Sequence, residues 1–219
     1  MGIKGLLAYR QSNNLLTKYI CWFGIIMGSS LLCFSVPSFF TLDTEQLRYA
    51  WVIGEFLVYA GLIPQAAILW ALTLRSHLPV YFLTIPTAIV GLGAWLYAAP
   101  RLTLYIEDNF IGYHEPGISN FVMALLLAVL FIPVGFYFMK STVRQSDFKG
   151  RLITFTLGMV YIGVGVSTAS HLLVIGQVAS ATSSIGNMAF FLILLGAIVW
   201  PKRINIHTPA VAVYGRTSQ

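Results

Sequence analysis

The sequence predicts an all-α polytopic integral membrane protein: six transmembrane helices in one bundle, with both termini in the cytoplasm. Three observations carry this prediction. The first is composition. Of 219 residues, 58% are hydrophobic and only 9% charged, with a mean hydropathy of +0.80, whereas a soluble domain carries roughly 25% charged residues. A water-soluble globule is excluded.

The second observation is run length. Six apolar stretches occupy Leu15 to Phe40, Ala50 to Leu74, Val80 to Ala99, Ile118 to Met139, Leu152 to Ile175 and Ser183 to Trp200. As a helix, each is long enough to cross about 30 Å of hydrocarbon. A closed barrel is the other spanning solution, but it needs shorter segments with strict alternation, which these runs lack. Pro64, Pro86 and Pro133 fall inside the second, third and fourth runs and read as bends that neighbouring helices re-satisfy. The chain divides into a cytoplasmic segment 1–14, a membrane domain 15–200 and a cytoplasmic tail 201–219. The first run is too long for a cleavable signal core and is expected to remain.

The third observation is the distribution of charge. Lys4, Arg10, Lys18, Arg75, Lys140, Arg144, Lys149, Arg151, Lys202, Arg203 and Arg216 fall on one side of a six-helix layout, and only Arg48 and Arg101 on the other. That second side holds Asp43, Glu45, Glu107, Asp108 and Glu115. Basic residues collect on the cytoplasmic face of membrane proteins, so this split sets the orientation; the expected location is the cell inner (plasma) membrane. The same asymmetry accounts for the net charge of +6 without nucleic acid as a partner. Trp22, Trp70, Tyr81, Tyr137 and Trp200 lie near the inner boundary, and Tyr49, Trp51, Trp95 and Tyr97 near the outer one, as rings that prefer the headgroup level should. The longest outer connection, Arg101 to Gly117, mixes apolar and acidic residues and is expected to form a short amphipathic helix or a hairpin.

Beyond Lys18 at the very start of the first run, only two side chains within the spans are strongly ionisable, Glu55 in the second run and His171 in the fifth. Counted along their helices they share a depth in the outer half of the bilayer, where a charge is costly unless paired or placed in a polar cavity. Ser167 and Ser170 flank His171, Asn187 opens the sixth run and Asn120 the fourth. Together these six residues form the candidate ligand-binding set, a funnel open to the outside with Glu55 and His171 facing each other at its centre. The alternative assigns Glu55 to the headgroups or to Arg48, His171 to a backbone carbonyl, and the hydroxyls and amides to interhelical hydrogen bonds.

Other chemistry is not indicated. Cys21 and Cys33 stand twelve positions apart in one run, roughly 18 Å along a helix, too far to bridge. Neither a metal-ligand spacing nor a catalytic motif such as HExxH or GxSxG is present, so no catalytic residue, metal or cofactor is expected and the chain reads as non-enzymatic. Partners are expected in membrane lipid and in a protein docked either at the basic loop of Lys140, Arg144, Lys149 and Arg151 or on the Gly24/Gly28 face of the first helix. Gly158, Gly163, Gly165 and Ala169 make the fifth helix thin on one side, which permits close backbone approach.

From Arg48 to Trp200 the layout resembles the multi-helix membrane sensor-input domains that precede bacterial histidine kinases. The resemblance rests on a Glu early in RYAWVIGEFLVYAGLIP, on the basic stretch RQSDFKGRLITFTLG entering a glycine-rich helix, and on IGNMAFFLILLGAIVW closing the bundle. It implies a sensor-like module for a small or lipophilic ligand, with signalling through a separate partner. Two other classes fit the same layout: an accessory subunit of a larger membrane complex, and the substrate-binding subunit of an energy-coupled transporter.

Overall fold

A helix begins where something satisfies its first free amides, and three starts in this chain are made by side chains. Asn14 Oδ1 accepts from the Leu16 amide at 3.0 Å, Asp43 Oδ1 from Glu45 at 2.9 Å and Asp147 Oδ2 from Gly150 at 3.0 Å. The computed structural model describes residues 14–75, 77–107, 110–114 and 117–173. Helix α1 spans Leu15–Ser35 and is followed by a short 3-10 turn, Pro37–Phe39. Helix α2, Thr44–Leu69, continues into a π turn at Trp70–Leu74; α3 is Tyr81–Ala98, α4 Gly117–Thr142 and α5 Phe148–Leu173. Between α3 and α4 the strands β1, Thr103–Glu107, and β2, Phe110–His114, pair antiparallel with Tyr105 opposite Gly112.

The five described helices coincide with the first five apolar runs, and the connection from Arg101 to Gly117 takes the hairpin form. Helix α2 starts at Thr44 rather than Ala50, because Asp43 caps it and Glu45 lies favourably in its first turn. Pro64, Pro86 and Pro133 all sit inside continuous helices. The sixth run, Ser183 to Trp200, the N-terminal segment and the tail lie outside the described residues.

Among the described residues four helices are long and apolar enough to cross a membrane: Leu15–Phe39, Thr44–Leu74, Tyr81–Ala98 and Gly117–Thr142. Their outward faces are apolar as well. Along α3, Phe82, Ile85, Ile89, Leu92 and Leu96 are exposed, an apolar helix face suited to lipid. These helices mark a membrane-embedded protein.

Helices α1, α2 and α3 pack as consecutive antiparallel neighbours. Glycines on α2 let α1 approach: a Cβ on Gly54 would lie 2.6 Å from the Phe34 ring, and one on Gly61 would lie 2.6 Å from Met27 Sδ. Ser30 Oγ donates to the Gly54 carbonyl at 2.8 Å across the same seam. On the other side of α2, Trp95 Nε1 of α3 donates to the Val52 carbonyl at 3.0 Å, and the Phe56 and Trp95 rings meet edge to face at 5.1 Å. Helix α4 joins through Phe131, whose ring packs against Phe23 of α1 and Tyr161 of α5. Phe23, Leu62, Ile68, Leu130, Val134 and Tyr161 form the centre of this core.

Candidate functional site

Helix α2 carries a buried stripe at helical spacing, Glu55, Tyr59, Leu62 and Ala66. Its last three members are apolar or aromatic, and Tyr59 packs against Gly91 of α3, where a Cβ would come within 3.3 Å of the Tyr59 ring. Glu55 heads the stripe, 8% exposed, and its Oε2 is buried with no hydrogen-bond partner. Arg48, two turns earlier, instead donates from Nη2 to the Pro100 carbonyl at 3.0 Å.

Two further buried oxygens are without a partner, Gln65 Oε1 on α2 and Asn120 Oδ1 on α4. Gln65 is fully buried, and its Nε2 donates to the Leu130 carbonyl of α4 at 3.2 Å. That bond fixes one level of register between the two helices. Further along, Leu72 and Thr73 share a cleft with Tyr137, Lys140 and Ser141, so α2 and α4 run in the same direction with matched advance. Ten residues back from Gln65 and from Leu130, roughly 15 Å toward the hairpin end, the same register brings Glu55 and Asn120 to one level. Strand β1 packs against α2 at that end.

The remaining candidates come from α5 and beyond it. Ser167, Ser170 and His171 lie on α5 by their backbone, while their side chains fall outside the described residues, as does Asn187 entirely. Helix α5 runs antiparallel to α4, with Gly165 against Phe131 and Ile132. Six residues further along, the His171 backbone stands roughly 8 Å deeper than Asn120, about one and a half turns from the level of Glu55.

Glu55 and Asn120 were recognisable in the sequence as polar groups in apolar runs; Gln65 was missed. Its signal was an amide in the middle of the second run, within the segment Leu62 to Leu69, where an uncharged polar group still has to be satisfied. At the level of Glu55 and Asn120 the partnerless atoms are both oxygens, so the site offers hydrogen-bond acceptors. An occupant that brings donors complements it, whether an ammonium, a hydroxyl or an amide. Among the described residues no three His, Cys, Asp or Glu side chains gather as a metal site, and Cys21 and Cys33 are free thiols. Compared with known protein families, with curated proteins and with solved structures, the chain finds no match.

Proposed function

We propose that the chain is a non-enzymatic module of six membrane-spanning helices, with both ends in the cytoplasm of a cell bounded by the plasma membrane in which it sits, that binds a small or lipophilic ligand from the outer side. The observation that supports this reading is the buried Oε2 of Glu55, partnerless at the level of Asn120. A carboxylate withdrawn from water without a partner is destabilising by several kcal/mol in order of magnitude, and a ligand that donates to it would relieve that cost. On this reading Glu55 anchors the donor group and Asn120 orients it. His171, Ser167 and Ser170 line the wall from α5, and Asn187 closes the site from the sixth helix. The module is sensor-like and passes its state to a partner protein.

The experiment is purification of the full chain with its native lipids, followed by mass spectrometry of the small molecules retained. A compound held by the wild-type chain and lost from Glu55→Gln and Asn120→Ala, with the fold intact, is the expected result. Identical small-molecule profiles from all three proteins would refute the site.

A second reading, an accessory subunit of a larger complex, is favoured by one feature of α1. A Cβ built on Gly28 meets no atom within 4 Å, so α1 is open to another helix at that position. A stoichiometric protein in the same purification, lost on Gly28→Leu, would select it.

A further inference from the structure

At the end of the bundle opposite the hairpin, a cleft of about 350 Å³ lies between α2 and α4. Two cations, Lys140 and Arg144, line it together with the hydroxyls of Thr73 and Ser141 and an apolar wall of Pro133 and Phe136. The α4 members recur at helical spacing and so share one face of that helix. The α2 side is the π turn Trp70–Leu74, a helix irregularity that recurs at functional sites.

The polar groups divide into those already engaged and those free to bind. Thr73 Oγ1 donates back to the Leu69 carbonyl at 2.6 Å, and Ser141 Oγ to the Tyr137 carbonyl at 2.8 Å. Their protons are taken. In the adjoining loop Asp147 is committed to the first turn of α5 through Gly150, and Arg151 Nε donates to the Gln145 carbonyl at 2.9 Å. Among the described residues no acidic side chain lines the cleft. Lys140 and Arg144 therefore present uncompensated positive charge with free donors at a helix end. One to two turns deeper stands Phe136, 59% exposed, against what would be acyl chains. A site that is cationic at its rim and apolar along its depth matches an amphiphile with an anionic head. Basic pockets between helix ends hold such headgroups in other membrane proteins.

We propose that this cleft binds an anionic phospholipid, with the phosphate between Lys140 and Arg144 and an acyl chain along Pro133 and Phe136. The proposal is independent of the Glu55 site, which lies at the other end of the bundle. It is tested by native mass spectrometry of the full chain in detergent, titrated with phosphatidylglycerol or with phosphatidylcholine of the same chains. Wild type should retain phosphatidylglycerol preferentially, and the double variant K140Q/R144Q should lose roughly thirtyfold of that preference, as two removed charges near a membrane surface predict. K149Q/R151Q removes the same charge from the first turn of α5 and should keep the preference. S141F fills the cleft without changing charge and should lose it.

Equal losses in the two double variants would overturn the proposal in favour of diffuse attraction by the loop, and would do so even if S141F failed to fold. Full retention by a folded S141F would overturn it as well. Displacement of the phospholipid by excess inorganic phosphate would assign the cleft to the free anion instead.

Discussion

Gly135 of α4 and Gly158 of α5 cross backbone to backbone. A Cβ on Gly135 would lie 2.7 Å from the Gly158 carbonyl oxygen, and one on Gly158 would lie 2.9 Å from that of Gly135. Small residues at a crossing let helices approach closely where lipid supplies no hydrophobic driving force between them. Here the two glycines set the distance at which Phe131 and Phe138 reach Tyr161, with ring centroids at 5.7 Å in both pairs.

Gly158→Ala should therefore push α4 and α5 apart and lower stability by about 1–3 kcal/mol, the usual cost of overpacking. Gly163 lies on the same helix, but a Cβ there meets nothing within 4 Å. Gly163→Ala should be neutral or stabilising by up to about 1 kcal/mol, through helix propensity alone. Unfolding of both variants in mixed micelles checks the contrast, and equal effects would show that the crossing is not sterically set.

The start of α5 depends on a single side chain. Asp147 immediately precedes the helix, accepts from the third amide, and holds the Arg151 amide through its own carbonyl at 3.1 Å. Asp147→Ala should cost about 1 kcal/mol and Asp147→Ser much less. Amide hydrogen exchange should quicken in the first turn of α5 for the alanine variant only.

Orientation predicts the sidedness of two loops. In a background with Cys21 and Cys33 replaced, single cysteines at Leu42, 69% exposed after the 3-10 turn, and at Ser146 between α4 and α5 should react with an impermeant thiol reagent from opposite faces of a sealed membrane. Labelling of both from one face would contradict the six-helix orientation drawn from the basic residues.

The first four spans were legible in the sequence because a bilayer demands uninterrupted apolar length, and Leu15, Tyr81 and Gly117 begin helices within a residue or two of the expected starts. Helix α2 extends beyond its apolar run because length tests hydropathy, whereas Asp43 and Glu45 act on backbone amides that hydropathy does not register. Gly158 and Gly165 were readable as a thin face, and both meet α4 closely. Which faces Gly54 and Gly61 served was not readable, since that depends on Phe34 and Met27 arriving from α1. Glu55 stood out by its charge, but Gln65 did not, because an amide becomes conspicuous only when its burial is known. The basic residues Lys140 and Arg144 were legible as a partner site, but the cleft was not: it joins side chains of α2 and α4 that only the register brings together.

The most exacting prediction concerns Glu55 itself. Replacing a buried polar group that has no partner by an apolar one of similar size removes an uncompensated desolvation cost, whereas replacing one that is paired leaves the partner stranded. Glu55→Met keeps the length of the side chain on a stripe otherwise made of Tyr59, Leu62 and Ala66. The ligand-free protein should gain about 1–3 kcal/mol of stability from it, and binding at the site should be lost. Sites built for ligands commonly carry this opposition between stability and function. Glu55→Gln retains a polar group and should recover little of the stability. The measurement is the unfolding midpoint of the three proteins, purified free of small molecules. A fall in stability for Glu55→Met would show that the carboxylate is held by a partner within the protein, His171 foremost, and would return Glu55 to the role of interhelical glue.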